Sequence, residues 1–394
     1  MKITEIEQTR VAIPWKGTAL INFEEFPWTH QYSSIIKVHT DEGITGISEG
    51  RRDVSPVIPR VIGTDPFEIE KLIGTSILQG PVPSEVMMVE CACWDIIGKS
   101  LNVPVYKLLG GRFWDKVPIT CYMGMADTET VVKEAEHVVE TGINTIKLKV
   151  GENPKFDLNH VKSVREAVGD DVNIRVDPNG AWSVPTAINM INKMAKYYPQ
   201  YIEQPIPSYD FDGFNRVRER VPVPLAMCDA APRHTEVIRL VKRDAIDVLS
   251  SDLDRTGGLW GWKKMDAICT AAGIPLVCHT DSLGVSTAIW LAATVTSPSC
   301  KYAHDINCSN VSKFGVCKSL VDDIITKPFM HENGFLQVPE GPGLGVELDE
   351  AKMEKYSELY KELGRGPNPH KGGHTGQYPR SAPNMTGPRF PPRF

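Results

Sequence analysis

The sequence of 394 residues is long enough for one large domain and a smaller one. An apolar content of 41% and a charged content of 23% are ordinary for a globular protein, and a net charge of -6 argues against a general nucleic-acid-binding protein, which normally carries a basic surface. No apolar run approaches the roughly 20 residues that span a membrane, so we expect neither nucleic acid nor a membrane as a partner.

The nine cysteines are an odd number and show neither CxxC nor Cys/His zinc spacing. Together with the absence of a signal peptide, this pattern predicts reduced thiols in a cytoplasmic protein. Cys228 and Cys278 directly precede two candidate site residues. We interpret both as small buried strand residues.

Residues 1–112 show no regular repeat and predict a small α+β capping domain. Met1–Ile13 and Ser33–Gly50 have the composition of strands, and 14–31 between them predicts an irregular loop rich in Trp, Phe and Pro. Further along, Glu85–Lys99 has the apolar spacing of a helix.

From Val117 onward, strand and helix patterns alternate, and each apolar strand ends at a polar side chain. These side chains recur every 23 to 28 residues at Lys149, Asp177, Glu203, Asp229, Asp252, His279 and Asp305. One strand of about 6 residues, one helix of about 11 and two short loops fill that interval. The repeat therefore predicts a (β/α)₈ barrel over residues 113–325, with the polar side chains at its carboxyl-terminal mouth.

The strand Thr145–Val150 is the most informative of the repeat. Its apolar residues are predicted to face the surrounding helices, whereas Lys147 and Lys149 face the barrel interior. The following helix is predicted over Asp157–Val168 with Asp157 as its N-cap, and Ser183 is predicted to open the next helix.

After Asp305 the barrel pattern fades. The segment 326–363 contains a turn-rich stretch and a helix over Asp349–Leu363, and we predict that it returns to the capping domain. Residues 364–394 are rich in proline and basic residues without any acid, which is typical of a linker or tail.

Three acids on successive strands, Asp177, Glu203 and Asp229, predict a metal site. Carboxylate oxygens suit Mg²⁺, or Mn²⁺ in its place, better than zinc or copper. Any one of these acids alone would more often be an N-cap or half of an ion pair. Three facing one another without a cation would repel strongly in a low-dielectric interior.

The basic residues suggest proton transfer. We predict Lys149 as a base whose pKa is lowered by Lys147 and the metal, with Lys147 holding a substrate carboxylate. The alternative is a purely structural lysine pair that bridges the acids. Asp252 would orient His279 as a second proton-transfer group. A cation and two bases suit removal of a proton α to a carboxylate, because the resulting enediolate carries negative oxygens.

The chain resembles the enolase superfamily, in its mandelate racemase and acid-sugar dehydratase branches, over about residues 1–360. The motifs are Lys147-Leu148-Lys149, Asp177-Pro178-Asn179-Gly180, Glu203-Gln204-Pro205, Asp229, Asp252 with Gly257-Gly258, and Cys278-His279. The resemblance implies Mg²⁺ on the three acids, Lys149 as base, a His279–Asp252 dyad, and cap loops near 15–30 and 49–53 that close over the substrate.

Two departures and one likeness refine the resemblance. The muconate-lactonizing and dipeptide-epimerase branches carry lysine where this chain has Asp252, so we do not expect their chemistries. The eighth-strand group is Asp305 or Asn307, where many relatives have glutamate. The segment 332–350 is most similar to glucarate dehydratase, which places the chain in that branch.

The resemblance implies a lyase as the first hypothesis: dehydration of a sugar acid, an aldonate or aldarate, to a 2-keto-3-deoxy acid. Lys149 or His279 would remove the α proton, and His279 would protonate the departing hydroxyl. The alternative is an isomerase, a racemase or epimerase that transfers the α proton of a 2-hydroxy acid. A third hypothesis is an inactive barrel that serves as a binding protein.

The substrate itself is predicted to be a small-molecule carboxylate, and the chain is expected to form a homo-oligomer. The charged candidates for substrate binding could instead be ordinary solvated surface residues. The candidate substrate-binding residues are Trp15, Lys16, His30, Arg51, Arg52, Asn179, Asp305 and Asn307.

Overall fold

The fold is known from a computed structural model that describes residues 1–19, 28–79, 84–228, 233–280, 282–317 and 319–363. Its strands are β1 (Ile3–Ala19), β2 (Trp28–Thr40), β3 (Thr45–Gly50), β4 (Val117–Pro118), β5 (Cys121–Met123), β6 (Thr145–Lys149), β7 (Asn173–Asp177), β8 (Pro199–Glu203), β9 (Leu225–Met227), β10 (Val248–Ser251), β11 (Leu276–Cys278) and β12 (Phe335–Leu336). Its helices are α1 (Ile58–Val61), α2 (Ile69–Gln79), α3 (Ser84–Ser100), α4 (Val105–Leu108), α5 (Thr128–Glu140), α6 (Pro154–Val168), α7 (Val184–Met194), α8 (Phe211–Arg218), α9 (His234–Lys242), α10 (Leu253–Thr256), α11 (Leu259–Ala272), α12 (Gly284–Val295) and α13 (Glu350–Glu362).

The amino-terminal cap is an antiparallel sheet in the order β1-β2-β3, with α3 packed against it. The irregular loop predicted over 14–31 is wrong in its described part, because β1 and β2 continue there and pair Pro14 with His30 and Ala19 with Trp28. Pro14 lacks an N–H group, but its carbonyl oxygen accepts a hydrogen bond from the backbone N–H of Val321. The proline is therefore compatible with the strand.

The second sheet is built from seven strands, all parallel, in the order β11-β10-β9-β8-β7-β6-β5. A parallel order with a helix after most strands is the pattern of the predicted TIM-type barrel. Single bridges from Ile119 to His304 and from His279 to Asp305 stand where an eighth strand would lie. The predicted fold class, a barrel with an α+β cap, is confirmed.

Helix starts follow local capping rules. The predicted start of α7 is confirmed, because the Ser183 hydroxyl accepts from Thr186 N. The predicted N-cap of α6 is wrong: Asn153 caps that helix by accepting from Phe156 N, and Pro154 follows at the first helical position. Asp157 is buried and accepts instead from the backbone N–H of Gly151.

The cysteines depart from the expectation in one respect. Cys121 of β5 and Cys317 form a disulfide, although they lie 196 residues apart in the sequence. Nine cysteines can include a disulfide pair, but two cysteines this far apart in the sequence show no spacing pattern that predicts their pairing. Cys228 and Cys278 are buried free thiols, as predicted.

The carboxyl-terminal segment contacts both parts of the molecule. β12 pairs with β4, and Leu344 N donates to the buried Asp95 of α3. Helix α13 packs on β1, and its Tyr360 ring lies 6.3 Å from that of Tyr32 in the neighbouring strand β2. The predicted tail, 364–394, lies outside the described residues.

Among the helices in the described ranges, none combines the length and the apolar character needed to cross a membrane.

Candidate active site

The site is organised by β6 and β7. All five residues of β6 are buried, and its parallel register places Lys149 beside Asp177, the last residue of β7. The next strand, β8, ends at Glu203. Because parallel strands end at one edge of their sheet, these three side chains meet at the mouth of the barrel.

Lys147 is fully buried among three carboxylates. Its Nζ lies 2.7 Å from Glu203 Oε1, 3.0 Å from Asp305 Oδ2 and 3.2 Å from Asp177 Oδ2. Burial alone would lower the pKa of this ammonium group, but the charges of Asp305, Glu203 and Asp177 outweigh burial and hold the pKa well above its ordinary value. Lys147 is therefore a fixed positive charge in the centre of the acids.

Lys149 lies nearer the mouth. Its Nζ donates to Asp177 Oδ2 at 2.5 Å and to Asn179 Oδ1 at 2.6 Å, and it lies 5.0 Å from the centre of the Tyr122 ring. Asn179 has a φ of 46° and donates its backbone N–H to Asp177 Oδ1. Asn179 thus orients both the acid and the amine.

The donor set fits a hard divalent cation. The pKa of Asp177 is lowered because Lys149 and Lys147 outweigh burial, so this acid is an anion. Burial raises the pKa of Glu203, and among the described residues its Oε2 has no hydrogen-bond partner although the atom is buried. Two carboxyl groups on neighbouring strands, one of them with an unused buried oxygen, are the kind of oxygen ligand that Mg²⁺ binds.

The predicted third ligand, Asp229, lies outside the described residues. Within the described ranges, no three His, Cys, Asp or Glu side chains are placed to hold a metal together. The three-acid metal site stays a prediction, of which the structure describes Asp177 and Glu203.

Asp252 follows β10 and begins α10. Its Oδ1 accepts from the backbone N–H of Arg255 at 2.7 Å, and its Oδ2 lies 3.2 Å from Arg255 Nε. Arg255 also donates to the carbonyl oxygen of Cys228 at 2.8 Å. The described hydrogen bonds and ion pair of the Asp252 side chain thus go to Arg255, and the His279–Asp252 dyad stays a prediction.

His279 follows β11, is half-buried and lines a pocket at the barrel mouth. Its backbone pairs with that of Asp305. Residues from the first, seventh and last barrel segments line this pocket, among them Tyr122, His279, Thr280, Asp305, Asn307 and Cys317. Asp305 also holds Lys147, so the pocket adjoins the cluster of lysines and acids. Asn307 donates its Nδ2 to the Ser282 carbonyl oxygen at 3.1 Å.

The candidate residues of the cap are less closely assembled. Trp15 is buried and bridges to Leu320 through its backbone. Lys16 is exposed and its Nζ donates to the Ser309 carbonyl oxygen at 2.5 Å. His30 is half-buried in β2, with its ring 6.0 Å from that of Tyr32.

Arg51 and Arg52 are half-buried in the loop after β3. The carbonyl oxygen of Arg52 accepts from Gln8 Nε2 at 2.6 Å. Residues 20–27 of the predicted cap loop lie outside the described ranges. The substrate-binding roles of these cap residues stay predictions.

Sequence reasoning missed Arg175, which is fully buried beneath the acids. It donates to Thr120 Oγ1 at 2.9 Å, and its NH1 lies 3.9 Å from Asp305 Oδ1. A signal existed, because Arg175 lies two residues before Asp177 and hence on the same inward face of β7. Tyr122, which also lines the site, was not predicted either, because an aromatic residue at this position carries no comparable polar signal.

Comparison with known families covers most of the chain. The Enolase C-terminal domain-like family matches residues 130–352, and the N-terminal domain of the Mandelate racemase / muconate lactonizing enzyme family matches residues 27–110. The first range contains β6 to β11 of the barrel sheet, and the second contains β2, β3 and α1 to α4 of the cap.

Three similar proteins indicate the range of activities. The N-succinyl-L-Arg/Lys racemase of Bacillus cereus is 30% identical over 90% of this chain and 98% of its own length. The arabinonate dehydratase of Saccharolobus solfataricus is 31% identical over 68% of this chain and 70% of its own. The structure of an enolase from Thermobispora bispora complexed with magnesium and formate has a TM-score of 0.81 at 28% identity, and covers 93% of this chain and 94% of its own.

Similar proteins thus include isomerases and dehydratases. They do not single out the glucarate-dehydratase-like branch, so that finer assignment stays a prediction. Dipeptide epimerases and muconate cycloisomerases are also among the relatives, although Asp252 led us not to expect their chemistries.

Proposed function

This chain belongs to the mandelate racemase/muconate lactonizing enzyme family of the enolase superfamily, and from that premise we propose that it removes the proton α to the carboxylate of a small-molecule acid. The observation that carries the proposal is the placement of Lys149 and Lys147 on one strand against Asp177 and Glu203 on the next two. Within this cluster, the ammonium groups of Lys147 and Lys149 lie where the negative oxygens of an enediolate would form.

We assign the metal ligands as Asp177, Glu203 and Asp229. Bound Mg²⁺ would supply positive charge that stabilises the developing negative charge of the substrate carboxylate. Lys147 holds that carboxylate with its fixed charge. Lys149 accepts the α proton on one face of the substrate, and Asn179 keeps its amine directed at the mouth.

His279 is the second proton-transfer group. It follows β11, which lies five strands away from β6 in the sheet order, and it lines the adjoining pocket, so it approaches a bound substrate from a different side. Two such groups permit transfer of the α proton from one face to the other, which inverts the configuration of the carbon. The racemase relative, matched over nearly its whole length, supports this 1,1-proton transfer as the first outcome.

Dehydration is the second candidate. Asp252 favours it, because it stands where the muconate-lactonizing and dipeptide-epimerase branches carry lysine, and the relatives include arabinonate, D-xylonate and D-gluconate dehydratases. Here His279 would protonate a departing β-hydroxyl group after Lys149 or His279 has removed the α proton. A substrate without a β-hydroxyl cannot follow this route.

A screen with a defined readout tests the proposal. The protein with Mg²⁺ is incubated in D₂O with libraries of sugar acids, 2-hydroxy acids and N-acylated amino acids. Exchange of the α hydrogen is followed by proton NMR, and 2-keto acids are detected with semicarbazide. Exchange with inversion supports the isomerase, whereas keto-acid formation supports the dehydratase. If no member either exchanges its α hydrogen or yields a 2-keto acid, that result contradicts the proposed function.

Variants then assign the bases. For an isomerase, Lys149→Gln should abolish exchange from one enantiomer and His279→Asn from the other, each by about 10²–10⁴-fold, because each group serves one face. Lys133→Gln is the control, since Lys133 is an exposed residue of α5 paired with Glu129. Equal loss for both enantiomers in either variant would contradict the two-base assignment.

A further inference from the structure

Glu49 of β3 is a buried cap residue that contacts the barrel. Its Oε1 accepts from the backbone N–H of Leu283 at 2.8 Å and from the Ser33 hydroxyl at 2.8 Å, and its Oε2 accepts from the backbone N–H of Ser286 at 2.9 Å. Leu283 is the N-cap residue of α12 and Ser286 belongs to its first turn, where backbone N–H groups need acceptors from outside the helix. Helix α12 follows the strand β11 that ends next to His279.

Glu90 of α3 makes the equivalent contact at the neighbouring helix. Its two oxygens accept from the backbone N–H groups of Leu259 and Trp260, both at 2.9 Å, and Trp94 Nε1 donates to it at 2.7 Å. Leu259 and Trp260 begin α11, which follows Asp252 and the short helix α10. Glu90 is fully buried.

The loop before α11 is shaped to admit Glu90. A Cβ on Gly258 would lie 2.1 Å from Glu90 Oε2, and Gly258 has a φ of +97°. Only glycine allows the carboxylate to approach this closely. The Gly257-Gly258 motif therefore serves the contact between the cap and the barrel.

We propose that Glu49 and Glu90 are positioning residues, through which the cap fixes the loops that carry His279 and Asp252. Each carboxylate holds the start of the helix that follows one of these residues, only four residues beyond His279 and seven beyond Asp252. Movement of the cap relative to the barrel is thereby coupled to the geometry of the proton-transfer groups. This inference rests on the proposed function, in which His279 transfers a proton.

The first test needs no substrate. Glu49→Gln and Glu90→Gln keep the size of the side chain but place an amide NH₂ against a backbone N–H donor. Hydrogen exchange followed by mass spectrometry should show amide exchange about 10-fold faster at 283–286 in Glu49→Gln and at 259–260 in Glu90→Gln. Glu49→Gln should leave amide exchange at 259–260 unchanged, and Glu90→Gln should leave it unchanged at 283–286.

Asp95→Asn is the matched control. Asp95 is another buried acid of α3 that accepts two backbone N–H groups, from Ile47 at 2.9 Å and Leu344 at 2.8 Å. Neither group belongs to a helix that follows a site strand. Asp95→Asn should therefore leave exchange at 259–260 and 283–286 as in the wild type.

The second test measures the two directions of proton transfer on a substrate from the screen. Glu49→Gln and Glu90→Gln should slow the exchange that depends on His279 by about 10-fold to 100-fold and spare the exchange that depends on Lys149. Asp95→Asn should change neither. A purely structural role would lower both rates equally, and that result would overturn the proposal.

Two milder variants test the same contacts in case the glutamine variants do not fold. Ser33→Ala removes one donor to Glu49 and Trp94→Phe removes one donor to Glu90. Both should shift the ratio of the two exchange rates in the same direction by a smaller factor. If the wild type neither exchanges an α hydrogen nor forms a 2-keto acid, the proposed function fails. Unchanged amide exchange in both glutamine variants would by itself overturn the present inference.

Discussion

At the residue scale, the site depends on buried charges that satisfy one another. Lys147 is stable in the interior because three carboxylates surround it. His304, next to Asp305, is a buried ionisable group that is uncharged, in contrast to the charged and paired Lys147. Its Nδ1 accepts from the backbone N–H of Cys278 at 2.9 Å, which requires that nitrogen to be unprotonated.

His304 predicts a loss of stability in acid. Burial, with a smaller effect of Arg175, lowers the pKa of His304 from 6.5 to about 3. The unfolded chain therefore binds more protons than the folded chain below pH 6.5, and stability falls as pH falls from there towards 3. The contribution of this one group is about 1.4 kcal/mol per pH unit.

His304→Asn should remove this contribution, because an Asn side-chain oxygen can accept the same hydrogen bond without titrating. Urea unfolding between pH 7 and 4.5 would show a smaller slope of the unfolding free energy against pH in His304→Asn than in the wild type. His137→Asn, at a half-buried residue of α5, should keep the wild-type slope. Equal slopes in all three proteins would contradict the assignment.

At the element scale, helices that begin directly after site strands carry the connection between the cap and the barrel. Helix α11 starts after two glycines with positive φ, Gly257 and Gly258, and is followed by its C-cap Gly273, also with positive φ. The two ends differ in their surroundings. Gly258 adjoins the carboxylate of Glu90, whereas nothing lies within 4 Å of a Cβ on Gly273.

This difference predicts different costs for the same substitution. Gly258→Ala combines a left-handed backbone with a clash against Glu90 and should lower the unfolding free energy by about 2–4 kcal/mol. Gly273→Ala meets only the backbone penalty and should cost about 1 kcal/mol. Chemical denaturation of both variants would measure the difference, and equal costs would refute the role of the Glu90 contact.

At the scale of the whole molecule, the barrel brings acids from separate βα units to one point, and a cation bound there links those units. A ligand that binds only the folded protein stabilises it by mass action. In the structure Lys147 and Lys149 already hold Asp177 and Glu203 together. A divalent cation would add to this grouping through the same acids.

We therefore expect Mg²⁺ to raise the melting temperature, with a gain of about 2.7 kcal/mol when its concentration is 100-fold above Kd. Asp177→Asn should abolish this shift, and so should removal of the ion with EDTA. Asp127→Asn changes an acid that caps α5 outside the site and should keep the shift. An undiminished shift in Asp177→Asn would show that the ion binds elsewhere.

The sequence by itself determined the barrel and the strand-end positions of Lys149, Asp177 and Glu203. A strand followed by a helix repeats within fewer than 30 residues, so apolar periodicity and the polar residue at each strand end are local signals. The sequence did not predict the hairpin beyond Pro14, because proline and bulky aromatic residues obscure the alternation of apolar and polar residues in these strands. The stability of these strands comes from their pairing with each other.

Only the tertiary structure decided which groups touch. The Cys121–Cys317 disulfide and the hydrogen bonds of Glu49 and Glu90 to two helix starts have no pattern in the sequence. The Glu90 and Glu49 contacts join residues 169 and 234 positions apart. Contacts at such separations depend on how cap and barrel pack together, since the free energy that holds them comes from burial of both surfaces and not from any local preference of the chain.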